Sequence, residues 1–112
     1  MATLFTKIIN REIPADIVYE DEQCLAFRDI DPKAPTHILI IPKKEISKIS
    51  EAAAEDRKLL GHLLLKAGDI ARNEGVSDNF RLIVNNGEGA GQTVFHLHIH
   101  LMAGRAFDWP PG

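Results

Sequence analysis

Three of the five histidines in this 112-residue chain fall at alternate positions of one apolar run, Thr93-Val94-Phe95-His96-Leu97-His98-Ile99-His100-Leu101-Met102. A strand turns successive side chains to opposite faces. The spacing therefore predicts a strand over Val94–Met102. Val94, His96, His98, His100 and Met102 share one face, and Phe95, Leu97, Ile99 and Leu101 share the other. Same-face neighbours on a strand stand about 6.5–7 Å apart, so adjacent imidazoles can address two atoms of one small substrate. Neutral imidazole is a nucleophile and a general base, and its cation is a general acid. Protonating one member of such a cluster disfavours protonating the next, so the row is expected to hold both forms near neutral pH.

Three chemistries compete for this row. H-x-H on a strand gives a metal two ligands, but a closed site needs a third or fourth. No carboxylate or thiol follows within a few residues of His100, and the next acid is Asp108. His37 completes a metal site only if the fold brings it close. A row of satisfied histidines without a role is the second reading, and buried imidazoles are costly unless each finds a partner. Nucleophilic catalysis at phosphorus is the third, and the preceding loop adds weight to it. Asn85-Asn86-Gly87-Glu88-Gly89-Ala90-Gly91-Gln92-Thr93 places glycines at alternate positions. Such a backbone takes φ > 0 and turns several N–H groups toward one point, an anion-binding nest. Gln92 and Thr93 add side-chain donors. The loop is no P-loop, since it lacks Gly-Lys-Ser/Thr and a following helix. Donors beside a nucleophile suit phosphoryl chemistry, because negative oxygens repel attack until they are neutralised. Two further residues are candidates. His37 opens an apolar segment, and Asp29 in Phe27-Arg28-Asp29-Ile30 could accept both hydroxyls of a ribose. His62, within a helical pattern, has no assigned role.

The elements that must position these groups follow from periodicity and punctuation. Phe5 to Asn10 suggests a short helix ahead of Pro14. Ile17–Glu20 and Cys24–Arg28 read as strands around an Asp21-Glu22 turn. Asp29 to Pro35 is a loop with two prolines. Thr36–Ile41 is a strand whose unbroken apolar run marks it as central, and Pro42 ends it. Leu60, Leu63, Leu64, Ala67, Ile70 and Ala71 define one long helix from about Ala53 to Glu74, with Ser50 as candidate cap and Gly75 as stop. Phe80–Val84 is a fourth strand and Val94–Met102 the fifth. The Trp109-Pro110-Pro111-Gly112 tail suits no regular structure. Strands with one long helix between them predict an antiparallel α+β fold in one domain spanning residues 1–112.

Bulk properties bound the function. The net charge of −3, with acids and bases mixed, argues against nucleic acid as the main partner. The single Cys24 excludes an internal disulfide and points to a reducing, cytoplasmic setting, with Cys24 itself read as a core residue. No apolar run approaches about 20 residues, so neither membrane span nor secretory signal is expected.

His96-Leu97-His98-Ile99-His100-Leu101-Met102 matches the signature His-φ-His-φ-His-φ-φ, with φ apolar. Phe5-Thr6-Lys7-Ile8-Ile9, Glu12-Ile13-Pro14, Leu25-Ala26-Phe27-Arg28-Asp29-Ile30, Ala34-Pro35-Thr36-His37, Ile41-Pro42-Lys43-Lys44, Leu59-Leu60-Gly61-His62 and Trp109-Pro110-Pro111-Gly112 extend the match over essentially the whole chain. The chain thus resembles the histidine triad (HIT) superfamily, and within it the nucleotide-binding phosphoramidase branch. The resemblance implies a homodimer whose two five-stranded antiparallel sheets join. It implies hydrolysis of nucleoside 5′-phosphoramidates and aminoacyl-adenylates, with purines preferred and no cofactor or metal. By the same resemblance His98 is the nucleophile and carries a nucleotidyl intermediate, and the His96 carbonyl orients it. His100 contacts phosphate oxygens and, with His37, assists proton transfer to the leaving amine. Thr93 stands where many relatives have Ser, a catalytic position whose hydroxyl could hydrogen-bond the leaving group. Asn85, Gly91, Gln92 and the Val94 amide line the phosphate site. Asp29 binds the ribose, with Phe5, Ile8, Ile13, Phe27 and Ile30 around the base. The alternatives are a dinucleoside polyphosphate hydrolase or nucleotidyl transferase of the same superfamily, and a non-catalytic purine-nucleotide-binding regulatory module.

Overall fold

The computed structural model describes residues 2–112. A short helix α1 (Leu4–Ile9) is followed by β1 (Ile17–Glu20), β2 (Cys24–Arg28) and β3 (Thr36–Pro42). The long helix α2 (Arg57–Asn73) then leads into β4 (Phe80–Ile83) and β5 (Ile99–Ala103). All five strands form one antiparallel sheet in the order β1-β2-β3-β5-β4, with β3 at its centre. This is the expected α+β architecture.

Alternation along the strands sorts residues onto two faces. Cys24 and Ala26, Ile38 and Ile40, and Ile99 and Leu101 meet the α2 stripe Leu63, Ala67, Ile70 and Ala71. The i, i+4, i+7, i+8 spacing of that stripe is what a helix needs to present one apolar side to a sheet. Leu25 and Phe27, with Leu39 and Ile41, face the other way and receive Phe5 and Ile8 of α1. Cys24 is fully buried, and burial pushes its thiol up to about 12, as suits a core residue.

Two caps differ in their outcome. Gly75, at φ +73°, ends α2 as expected: its amide donates to Arg72 and that of Val76 to Ala71. At the other end Ser50 is not the cap. A 3₁₀ turn over Ala54–Asp56 precedes α2, and the Asp56 carboxylate accepts from the Ala53 amide at 2.9 Å and from Lys44 Nζ at 2.6 Å. The helix therefore begins at Arg57, later than Ala53.

The larger correction concerns β5, which starts at Ile99 and not at Val94. In the β3–β5 register, Ile40 opposes Ile99, so continuing the ladder would set Leu97 opposite Pro42. Proline has no N–H to give a ladder. The Leu97 amide donates instead to the Ile46 carbonyl at 2.6 Å. The sheet alternation survives in part, because Leu97 still joins the α2 core while Val94 packs on the α1 side. Phe95, which the alternation would set on the same face as Leu97, is 42% exposed.

Candidate active site

The face carrying α1 holds four histidines. Two come from the sheet. His37 lies near the start of β3, and His100 lies in β5 opposite Leu39. His96 and His98 come from the segment that leaves the sheet. All four are joined by hydrogen bonds, which fix their tautomers. The Lys33 amide donates to His37 Nδ1 at 3.0 Å, so neutral His37 carries its proton on Nε2. That Nε2 lies 3.0 Å from His100 Nδ1, which must accept. His100 is then protonated on Nε2. Asp29 supports the pair, with a carboxylate oxygen 3.4 Å from His37 Nε2.

The second chain of bonds is made by the backbone. His98 Nδ1–H donates to the His96 carbonyl at 2.8 Å, which leaves the lone pair of His98 on Nε2. His96 Nε2–H donates to the Pro42 carbonyl at 2.7 Å. The Phe5 ring meets His98 at right angles, with centroids 5.0 Å apart, and His100 stands 4.9 Å away on the other side. His98 is thus held by one hydrogen bond and two ring contacts.

Electrostatics agree with this neutral network and correct one expectation. Burial lowers the pKa of His37, His96 and His98, and the hydrogen bonds of His96 and His98 to carbonyls only partly oppose it. Burial and then the neighbouring His98 and His37 bring His100 down to about 4. The cluster does not rest as a mixture of imidazole and imidazolium. It rests neutral, because desolvation penalises each cation.

These groups open on a cavity of about 540 Å³. Of the residues expected around a nucleotide, Phe5, Ile8, Ile13 and Phe27 line its apolar part, and Asp29, Ile30, Thr93, Val94, His98 and His100 line the rest. His96 and His37 sit behind this lining, hydrogen-bonded to His98 and His100 respectively. Asn85 and Gly91 adjoin one another at the glycine loop, outside the cavity lining. Gly87 and Gly91 do adopt φ of +92° and +98°. Gln92 is turned inward. Its amide nitrogen donates to the Ser47 and Val94 carbonyls and its oxygen accepts from the Gly87 amide, so its side chain staples the loop and has no donor left for an anion. The sequence reading missed Asp16 and Arg28, which also reach the cavity. Arg28 is paired with Glu74 at 2.9 Å and with Asp16 at 3.5 Å. The Phe-Arg-Asp stretch offered a signal for Arg28. The Lys33 amide and the Pro42 carbonyl offered none, because main-chain groups have no letter.

An antiparallel sheet with a four-histidine cluster at the start of β5 defines a histidine triad fold. A HIT domain model matches residues 10–107, and the chain belongs to the HIT family. It is similar to the crystal structure of a HIT family hydrolase from Legionella pneumophila, at 50% identity and TM-score 0.96, covering 99% of this chain and 100% of that one. A histidine triad nucleotide-binding protein from Candida albicans matches at 30% identity and TM-score 0.84, over 97% and 83% of the two chains. A 14 kDa zinc-binding protein from Zea mays is 52% identical over 98% of this chain and 88% of its own.

Proposed function

We propose that this chain hydrolyses the P–N bond of nucleoside 5′-phosphoramidates, aminoacyl-adenylates being further substrates, through a covalent nucleotidyl intermediate on His98. The observation that carries this reading is that His98 lines the cavity with its Nδ1–H held by the His96 carbonyl, while its Nε2 has no hydrogen bond among the described residues. A neutral imidazole needs no separate base to attack, and its low pKa keeps it neutral at pH 7.

The steps follow from the tautomers. His98 Nε2 attacks the α-phosphorus and the P–N bond breaks. The amine leaves with a proton drawn through the His100–His37 pair, whose affinity for that proton rises when a phosphate anion sits beside it. Water then cleaves the phosphorus–His98 bond and nucleoside monophosphate leaves. His100 Nε2–H, the Thr93 hydroxyl and the Val94 amide supply donors to phosphate oxygens, with Asn85 and Gly91 shaping the approach. Asp29 accepts the ribose hydroxyls, and the apolar wall from Phe5 to Phe27 takes the base, purines in preference. No step needs a metal.

The reading extends to a homodimer. β4 is a sheet edge, and α2 exposes Leu64 and Leu65, the latter at 73%. A second copy pairing along β4 would cover this edge and join the two sheets. No described helix is long and apolar enough to cross a membrane.

The test is a nucleotidyl adduct trapped on the purified protein and mapped by mass spectrometry. An adduct on His98 supports the proposal, and turnover without one defeats it. Comparing P–N with P–O–P substrates separates it from dinucleoside polyphosphate hydrolysis. A protein that binds adenosine monophosphate yet turns over neither is a binding module. A metal reading has one observation in its favour: Asp29, His37 and His100 have ligand atoms within 4.8 Å of one another. A rate that falls with chelator and returns with zinc would favour it.

A further inference from the structure

On the opposite face of the sheet, Asp21, Cys24 and His62 converge. A carboxylate oxygen, Sγ and a ring nitrogen lie within 4.8 Å of one another. The hairpin sets two of the three. Asp21 opens the β1–β2 turn, and its Oδ1 accepts from the Gln23 and Cys24 amides at 2.7 and 2.8 Å. Those bonds hold the carboxylate over the first residue of β2. Helix α2 brings the third group, with His62 Nε2 2.7 Å from Asp21 Oδ2. Cys24 forms the buried floor, while the Asp21 and His62 side chains are each about one-quarter exposed and leave a path from solvent.

We propose that Asp21, Cys24 and His62 form a binding site for a borderline-soft divalent cation of the zinc type. Thiolate and imidazole together select such ions over magnesium or calcium, which prefer oxygen. One thiolate and one carboxylate cancel the charge of a dication, so the site is neutral when filled and suits a half-buried position. The ion enters between Asp21 and His62, and the His62 proton moves from Nε2 to Nδ1. The Cys24 thiol releases its proton to solvent as the sulfur–metal bond forms. Tetrahedral nitrogen and oxygen ligands stand about 3.3 Å apart at the usual bond lengths, so the pair must open by roughly 0.6 Å. Water takes the fourth position. Tyr19, whose hydroxyl lies 2.7 Å from Asp21 Oδ2, keeps the carboxylate oriented. Lys66 is drawn aside over the Tyr19 ring and toward Asp69.

Cys24 is the single cysteine of the chain, so a sulfur–metal signal reports this site alone. The Asp29–His37–His100 cluster holds no sulfur and cannot imitate it. The experiment titrates Co²⁺ into the metal-free purified protein without oxygen and follows near-ultraviolet absorption. A thiolate-to-cobalt charge-transfer band saturating at one equivalent per chain, and bleached by Zn²⁺, is expected. Cys24→Ser removes the band, His62→Gln weakens cobalt binding by roughly tenfold or more, and His37→Ala leaves it unchanged. His62→Gln keeps the test decisive if Cys24→Ser does not fold. Absence of the band in the wild type, or unaltered affinity in His62→Gln, overturns the proposal and leaves the cluster as a clamp between helix and hairpin.

Discussion

The two faces of the sheet are built from the same strands yet solve different problems. Toward α2, β5 contributes Ile99 and Leu101, and the neighbouring Leu97 extends the same dry, apolar layer. Toward α1, the interleaved positions give His96, His98 and His100, and the apolar cluster there is smaller. One face gains its stability from packing. The other spends buried positions on imidazoles, each of which must be satisfied by a hydrogen bond. The difference teaches that alternation along one run can separate stability from chemistry by a single residue step. Substitutions should therefore fall into two groups, one altering turnover and one altering stability.

The largest separation should come from His98→Ala. Loss of the proposed nucleophile is expected to lower turnover of an adenosine phosphoramidate by roughly 10⁴-fold or more, with adenosine monophosphate binding still measurable by calorimetry. Retained activity would break the assignment of chemistry to this face. The mirror-image variant is Leu63→Ala on the α2 side. It should cost about 2–5 kcal/mol in denaturant unfolding while leaving kcat per folded molecule unchanged. A large kcat change there would show the faces to be coupled.

His37→Ala is a smaller perturbation of the first kind. It removes the partner of His100 Nδ1, and a drop of roughly 10–10²-fold in kcat is expected, larger for poor leaving amines than for good ones. An equal drop for all amines would argue against proton relay. Acidification tests the cost of the imidazoles. His100 is lowered in the folded state to about 4, so between the ordinary value of 6.5 and about 4 the unfolded chain binds more protons. Stability should therefore fall as pH drops through that window and be unaffected above it. His100→Gln should flatten the fall in Tm between pH 7 and pH 5, and an unchanged slope would place the acid sensitivity elsewhere. The smallest effect is expected of Thr93→Ala, about threefold in kcat for the loss of one hydroxyl donor to phosphate.

Much of this was legible in the sequence, for reasons that can be named. The strands from β1 to β4, most of the α2 stripe and the Gly75 stop are written in local periodicity and in one glycine's φ, whereas Leu64, expected in that stripe, is 56% exposed. The start of β5 was not, because its limit is set by a missing N–H on Pro42, a residue of another strand. The α2 start was misplaced to Ala53 because Asp56 is bonded by Lys44 from outside the helix as well as by a local amide. The neutral resting state of the histidines depends on burial, which alternation alone does not measure. Gln92 looked like an anion donor by type, yet the fold consumes its amide inside the loop.

The grip on His98 has a consequence for how such a site tolerates change. His98 is aimed by the His96 carbonyl, and His96 in turn by the Pro42 carbonyl. A carbonyl oxygen is supplied by every amino acid, so replacing the residue that bears it does not remove the acceptor. Codon changes can delete the proposed nucleophile outright but have few routes to mis-aim it. The orientation is carried by the path of the chain, and it can persist while the side chains of the surrounding pocket change.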